Sequence, residues 1–536
     1  MKKTNLLLSL MLVLVALGAS AANVPVSGNI TTNTSWTNDN IYILFGDVVV
    51  KSGATLTIQE GTIIKGDKGT GGKLVITIGS KINAQGSASK PIVFTSNQPA
   101  GQRARGDWGG VAILGDAPTN IKDANGNSVQ GLLECGTAPD FNYGGSDAAD
   151  NSGVLSYVRI EYAGFVCGTN TEFNSLAMAG VGSGTKIDHV QVSFGQDDGF
   201  EWWGGNSNPT HLISIGSRDD DFDTDNGFIG KVQFGLIIRV DTIADQGDIS
   251  NGFESDNDAN GSYNTPYTAP VFSNITIIGP AQTLTSTIDA KYGWAYRLRR
   301  NTATSVFNSL VVGYKRGLRI EGSGSQGKAT GDTLEFKYNI IEGSVEKAFE
   351  SSFDSAYLAN ALTNNTIYGG QPNATVNMVA PYAANRDFRL QTGSPALTGA
   401  NFTSPKLATG FTTVAYKGAF GGTDDWTASW ANFNPQLTDY STPTGIQETA
   451  VWSELSVVPN PTSGNATLLV TLQDNADLTV SVYDMFGKFI SNVDKGNFAT
   501  GSHRISINTE NLQSGVYFVN VAAGERNSAV KMIVAK

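Results

Sequence analysis

The chain has 536 residues, 62 of them glycine, with 36 Lys+Arg against 48 Asp+Glu, 3 His and 2 Cys. Glycine without a three-residue period excludes collagen, and a hydrophobic content of 40% excludes disorder by composition. A net charge of −12 argues against a nucleic-acid partner, which needs a basic surface. At the start, Lys2 and Lys3 precede an apolar run from Leu6 to Leu17, followed by Ala19-Ser20-Ala21. A basic region, a short apolar core and a small-residue cleavage site make residues 1–21 a signal peptide. The run is too short to span a bilayer and no later one reaches 18 residues, so no transmembrane segment is expected. The mature protein is read as exported.

Residues 22–445 carry the whole net charge, because the signal stretch adds +2 and residues 446–536 (6 basic, 8 acidic) add −2. One pattern recurs there: a short apolar strand, a Gly, then Phe or Leu a few residues on. It stands as Val190-Gln191-Val192-Ser193-Phe194-Gly195 with Phe200, and as Leu212-Ile213-Ser214-Ile215-Gly216 with Phe222. It returns as Leu310-Val311-Val312-Gly313 with Leu318, and as Ile340-Ile341-Glu342-Gly343 with Phe349. Asn274, Asn308, Asn339 and Asn365 precede strands at intervals of 34, 31 and 26. Short Gly-punctuated strands at such spacing, without helical periodicity, predict a solenoid of stacked rungs. The fold class is all-β: a right-handed parallel β-helix with end caps over 22–445, then a small C-terminal β-sandwich over 446–536. Phe and Leu should stack inside, and the Asn amides should ladder at one corner.

Aligned on the repeat's Phe, the acids Glu201, Asp223 and Glu254 fall in one column, with Glu350 and Arg319 further along. Asp197, Asp198, Asp219 and Asp220 lie beside it. Carboxylates on rungs about 4.8 Å apart repel by roughly 3–4 kcal/mol at an effective dielectric near 20. Protonation, an interleaved base or a hard cation can offset this. The expectation is Ca²⁺ held by Asp197, Asp198, Glu201, Asp220, Asp223 and Glu254; an ion-paired or solvated charge face is the alternative. Trp202 and Trp203 are candidates for stacking on sugar rings, with at most one of the two expected to be exposed. Cys135 and Cys167 form an even pair in an exported chain, fit for a disulfide between neighbouring rungs, with buried free thiols as the alternative. His189 and His211 occupy equivalent repeat positions and should stack. Trp426 and Trp430 follow the last rung and are expected to cap the solenoid end.

In the last stretch, Leu478-Thr479-Val480-Ser481-Val482-Tyr483 and Tyr517-Phe518-Val519-Asn520-Val521 alternate as half-buried strands do. Val458-Pro459-Asn460-Pro461-Thr462-Ser463-Gly464, Leu512-Gln513-Ser514-Gly515-Val516-Tyr517-Phe518-Val519 and the terminal Lys531-Met532-Ile533-Val534-Ala535-Lys536 stand around them. These motifs resemble the type A C-terminal sorting domain of the type IX secretion system of Bacteroidota. The resemblance implies recognition by the type IX secretion machinery, removal by its sortase, and attachment to surface lipopolysaccharide or release. The expected location is therefore the outer-membrane surface or the extracellular space. The passenger resembles secreted Bacteroidota β-helix proteins through Gly106-Asp107-Trp108-Gly109-Gly110, Asp197-Asp198-Gly199-Phe200-Glu201-Trp202-Trp203-Gly204-Gly205 and Asp220-Asp221-Phe222-Asp223.

The leading functional reading is a non-enzymatic binding, adhesion or structural surface protein with a Ca²⁺-binding acidic face and a possible glycan partner. The alternative is a polysaccharide lyase or glycoside hydrolase acting on acidic glycans along the same face. Gly195-Gln196-Asp197-Asp198-Gly199 resembles one polygalacturonase motif, but no Gly-His-Gly follows and Glu321 stands where that family has a base. For a lyase, Arg218 or Lys231 would have to serve as the base.

Overall fold

Between Ala22 and Tyr368, 26 strands wind into one sheet whose neighbours pair in parallel, a right-handed β-helix of three faces, and two short antiparallel hairpins stand outside it. In this computed structural model the described residues are 22–444 and 452–536, apart from 170, 241, 351–354, 473–474, 485–487 and 524–525. The signal peptide and the junction at 445 lie outside them. The chain divides into two compact units, Met1–Gly445 and Ile446–Lys536.

The repeat's phase is set by the interior. Val111, Leu176, Phe200, Phe222, Phe253, Tyr296, Leu318 and Phe349 follow one another in register, all buried. Between the other two faces the chain turns at Tyr157, His189, His211, Phe234, Asn274, Asn308 and Tyr338, each with φ of 50–64°. A left-handed conformation costs a side chain with a Cβ about 1–2 kcal/mol, and stacking offsets that cost here. Tyr157 lies 4.4 Å from His189, His189 4.3 Å from His211, and His211 5.0 Å from Phe234, ring centroid to centroid. The four asparagines occupy two positions rather than one. Asn274 and Asn308 sit at the turn, whereas Asn339 and Asn365 fall one residue later, where the Asn339 amide donates to Asn365 Oδ1 at 3.1 Å.

After the last rung, the chain runs back over this corner toward the first rungs. Side-chain amides clamp it as β-bridges would: Asn308 to Asn401, Gln233 to Thr412 and Gln191 to Asn432 each exchange two hydrogen bonds of 2.6–3.1 Å. Thr444 Oγ1 finally donates to the Gly61 carbonyl at 2.6 Å. Trp426 and Trp430 belong to this strap. Their rings pack edge-on against His211 and His189, so they cover the mid-solenoid instead of capping its end. Two short helices, Gly322–Thr330 and Ser355–Asn364, interrupt the late rungs; the first carries no apolar stripe that would announce it, whereas the second buries Tyr357 and Ala361, four residues apart.

The second unit is a sandwich of a three-stranded and a four-stranded antiparallel sheet around Leu468, Val470, Val480, Val482, Val519 and Met532. Its separated motifs meet in space. The Asn460 amide donates to the Lys531 carbonyl and accepts from the Ile533 N–H, and Ser514 Oγ accepts from the Lys536 N–H.

Candidate functional site

Because each interior ring points inward, the next residue points out. Glu201, Asp223, Glu254, Arg297 and Arg319 therefore form one outward column in register, continued by Glu350. Arg297 escaped the sequence reading as a member of this column because Tyr296, not Phe or Leu, holds the inward place. The column has two halves. In the lower one Glu254 pairs with Arg297 at 3.0 Å and with Arg299, while Glu321 pairs with Arg297 at 3.2 Å and Arg319 at 2.8 Å. Acids and bases there neutralise one another.

Among the described residues the upper half has no such bases. Two carboxylate clusters share Asp198: Asp197, Asp198 and Asp219 in one, Asp198, Glu201 and Asp223 in the other, with oxygens within 4.8 Å in each. The loop that carries Asp219 is fixed from below by Arg239, which is fully buried. Its Nε meets Asp221 at 2.6 Å and its two Nη donate to the carbonyls of Ser217 and Asp219 at 2.8 and 2.6 Å. Burial, then repulsion from neighbouring carboxylates, pushes Asp197 up to about 8 and raises Asp198, Asp219, Glu201 and Asp223 well above the carboxylate range. Burial pushes Asp220 up to about 6 against the pull of Arg239, and its carboxylate accepts the Asn251 N–H at 2.5 Å. At neutral pH the upper half therefore holds protons or a cation.

The donor set fits a hard cation. The second cluster offers oxygen alone, and the buried Oδ1 atoms of Asp223 and of neighbouring Asn174 have no hydrogen-bond partner. The Asn174 amide donates to Glu201 Oε2. Of the six residues expected to bind Ca²⁺, Asp197, Asp198, Glu201 and Asp223 come together, joined by Asp219. Asp220 instead holds the Asn251 backbone, and Glu254 is drawn into ion pairs by Arg297 and Arg299.

Beside the first cluster opens a cleft of about 520 Å³ lined by Glu172, Asp197, Asp219, Asp245 and Asp248. Among the described residues its lining includes no basic side chain. Arg218 reaches its margin, with Nε 3.6 Å from Asp245, but Lys231 does not: its ammonium donates to Thr409 in the strap. Cys135 and Cys167 form a disulfide with a Cα–Cα distance of 5.8 Å, fastening the loop before Phe141 to the hairpin that carries Glu172.

Trp202 and Trp203 are both buried, which removes them as sugar platforms. Trp202 stacks on Phe228 inside the solenoid, at 5.4 Å and 0% exposed; Trp203, which points out, is covered by Tyr143. Asp188 lies 2.9 Å from Nδ1 of both His189 and His211. Parallel imidazoles 4.3 Å apart direct their in-plane lone pairs side by side, so the shared carboxylate is their partner within the stack.

Residues 28–384 match the model of the pectate-lyase-like β-helix domain, two thirds of the sequence, and the chain belongs to that family. Residues 456–535 match the secretion-system C-terminal sorting domain, which makes this an exported protein of the cell surface or extracellular space. No described helix is long and apolar enough to cross a membrane. None of the curated proteins matches significantly. Among solved structures, the enzymatically active domain of tailspike protein 4 from bacteriophage CBA120 aligns at 12% identity and a TM-score of 0.27, over 95% of this chain and 63% of that one. The chain thus spans less than two thirds of that domain's length. The Dettilon tailspike protein aligns at 10% identity and a TM-score of 0.22, over 92% and 84%.

Proposed function

We propose that the protein is a surface-exposed or released glycoside hydrolase whose cleft cuts a polysaccharide between Asp197 and Asp219. The observation that carries this is a carboxylate pair on adjacent rungs, oxygens within 4.8 Å, at a cleft whose described lining has no base. A carboxyl held protonated near neutral pH suits a general acid, and the neighbouring carboxyl would act as nucleophile once it ionises. Retaining hydrolases place the two about 5–5.5 Å apart, and inverting ones leave about 6.5–9.5 Å for a water. The anomer of the product reports which of the two geometries operates here. A lyase would want a base beside the scissile sugar, and only Arg218 stands near. Asp198, Glu201 and Asp223 would hold Ca²⁺, whose charge would neutralise them and lock two adjacent rungs together.

The test is release of reducing ends from a polysaccharide panel, with the product anomer read by NMR. Loss of turnover in Asp197→Asn and Asp219→Asn at unchanged melting temperature supports the reading. No turnover on any substrate, with Ca²⁺-dependent glycan retention, would favour a non-enzymatic binding or adhesion protein. That second reading draws on the oxygen-only cluster itself. In either case we infer that the type IX machinery reads the sandwich, its sortase removes it, and the passenger is joined to lipopolysaccharide or released.

A further inference from the structure

A second groove, of about 530 Å³, opens at the other ends of the same strands, about two rungs beyond Asp223. Its charged lining is mainly basic where the cleft's is acidic, although acids beneath it pair with those bases. Arg297, Arg299 and Arg300 line it against the single carboxylate of Glu321, with Asn260 and Asn301 at its sides. Glu254 and Asp256 lie beneath these arginines and pair with them; Arg297 and Arg299 are 11% and 12% exposed, whereas Arg300 is 43% exposed and opens to the groove. Tyr263 lines it at 70% exposure, an unusual setting for an aromatic ring, and the Lys328 ammonium lies 5.9 Å from that ring's centre. A flat ring beside a cluster of planar cations can hold a sugar face and an anion together.

We propose that this groove is a second subsite for the glycan, taking a sugar that bears a carboxylate or a sulfate. Tyr263 receives the ring and Arg300, with Arg297 and Arg299 behind it, receives the anion. The inference rests on the acidic cleft being a glycan site. It assigns that glycan to the anionic class, and it has the chain cross the sheet diagonally from one groove to the other. Rungs stand about 4.8 Å apart, so the axial part of that path is about 10 Å.

Isothermal titration of the full-length exported protein carrying Asp197→Asn, which keeps ligands uncut, separates the possibilities. The probes are three oligosaccharides of equal length: a uronate, a sulfated sugar and an uncharged sugar. Arg300→Gln and Tyr263→Ala are the variants of choice, because both residues are exposed and neither anchors the column. The expected result is an anionic ligand bound about ten-fold or more tightly than the uncharged one. Each variant should lose about that factor with an unchanged melting temperature, and added salt should weaken binding. Preference for the uronate or for the sulfated sugar identifies the anion. Equal affinity for the uncharged sugar, no anionic binding, or wild-type affinity in both variants would overturn the proposal. Arg300-dependent binding without turnover by the unsubstituted protein would remove the hydrolase reading alone, whereas turnover without that dependence would remove the groove alone.

Discussion

Two stacks run along this solenoid and solve the same problem differently. At the corner, Tyr157, His189, His211, Phe234, Asn274 and Asn308 pile up as neutral or hydrogen-bonded groups, each satisfied by a ring, an amide or the returning strap. On the outward face, Glu201 and Asp223 pile up as like charges without a base, and only from Glu254 onward do arginines answer them. Repetition accounts for the first stack, since a rung that must turn left-handed is relieved by a neighbour doing the same. It does not account for the second, where every added rung adds repulsion. A repeat protein retains such a column against its own stability when the column does something else.

The sharpest way to break this contrast is to neutralise the cleft. Asp197→Asn should lower glycan cleavage by about 10²–10⁴-fold, the usual weight of a general acid, while the melting temperature holds or rises. A fall in both would make the acids structural. Next in size is Arg239→Met, which strands buried Asp221 and should cost about 3–5 kcal/mol in chemical denaturation; adding Asp221→Leu should recover most of it.

The pH dependence follows from protons kept in the folded state. Burial holds Asp197 and Asp225 up to about 8, Asp221 to about 7 and Asp220 to about 6, whereas the unfolded chain releases these protons near pH 4. The folded state then binds more protons than the unfolded one, so these groups favour folding most below about pH 4 and lose that contribution as pH rises from about 4 to 8. In chelator, thermal melts should fall by several degrees across that window, and Ca²⁺ should restore them. A Tm indifferent to both would sink the cation site. Smallest is the corner: Asn274→Ala should cost about 1–3 kcal/mol by placing a Cβ residue without a local hydrogen bond at positive φ, and Asn274→Gly less.

Much of the solenoid was legible because its interior is periodic. Phe200, Phe222, Leu318 and Phe349 announce the phase, and Glu201, Asp223 and Glu254 follow from it by a step of one. Tyr296 conceals Arg297 only because a Tyr was not counted as an interior ring. The separate asparagine positions were hidden by a spacing of one residue, which interval counting does not resolve. The strap was illegible for a different reason. Its partners are side-chain amides far away in sequence, and a Gly- and Thr-rich segment has no period of its own. The pairing of Glu254 with Arg297 and Arg299, and hence its removal from the cation set, depends on contacts across rungs that no linear pattern records.

The strap changes how this molecule comes apart and together. Rungs that touch only their neighbours fray from either end and can assemble in any order. Here hydrogen bonds join residues 93, 142, 179, 241 and 383 positions apart, tying late sequence to early rungs. Unfolding of the first unit is therefore expected as one cooperative transition in calorimetry, not a progressive melt. During synthesis the rungs can stack as they emerge, but the fastening arrives last. Closure at Gly61 waits until Thr444 has been made, so the passenger reaches its final cooperativity only when almost the whole chain exists.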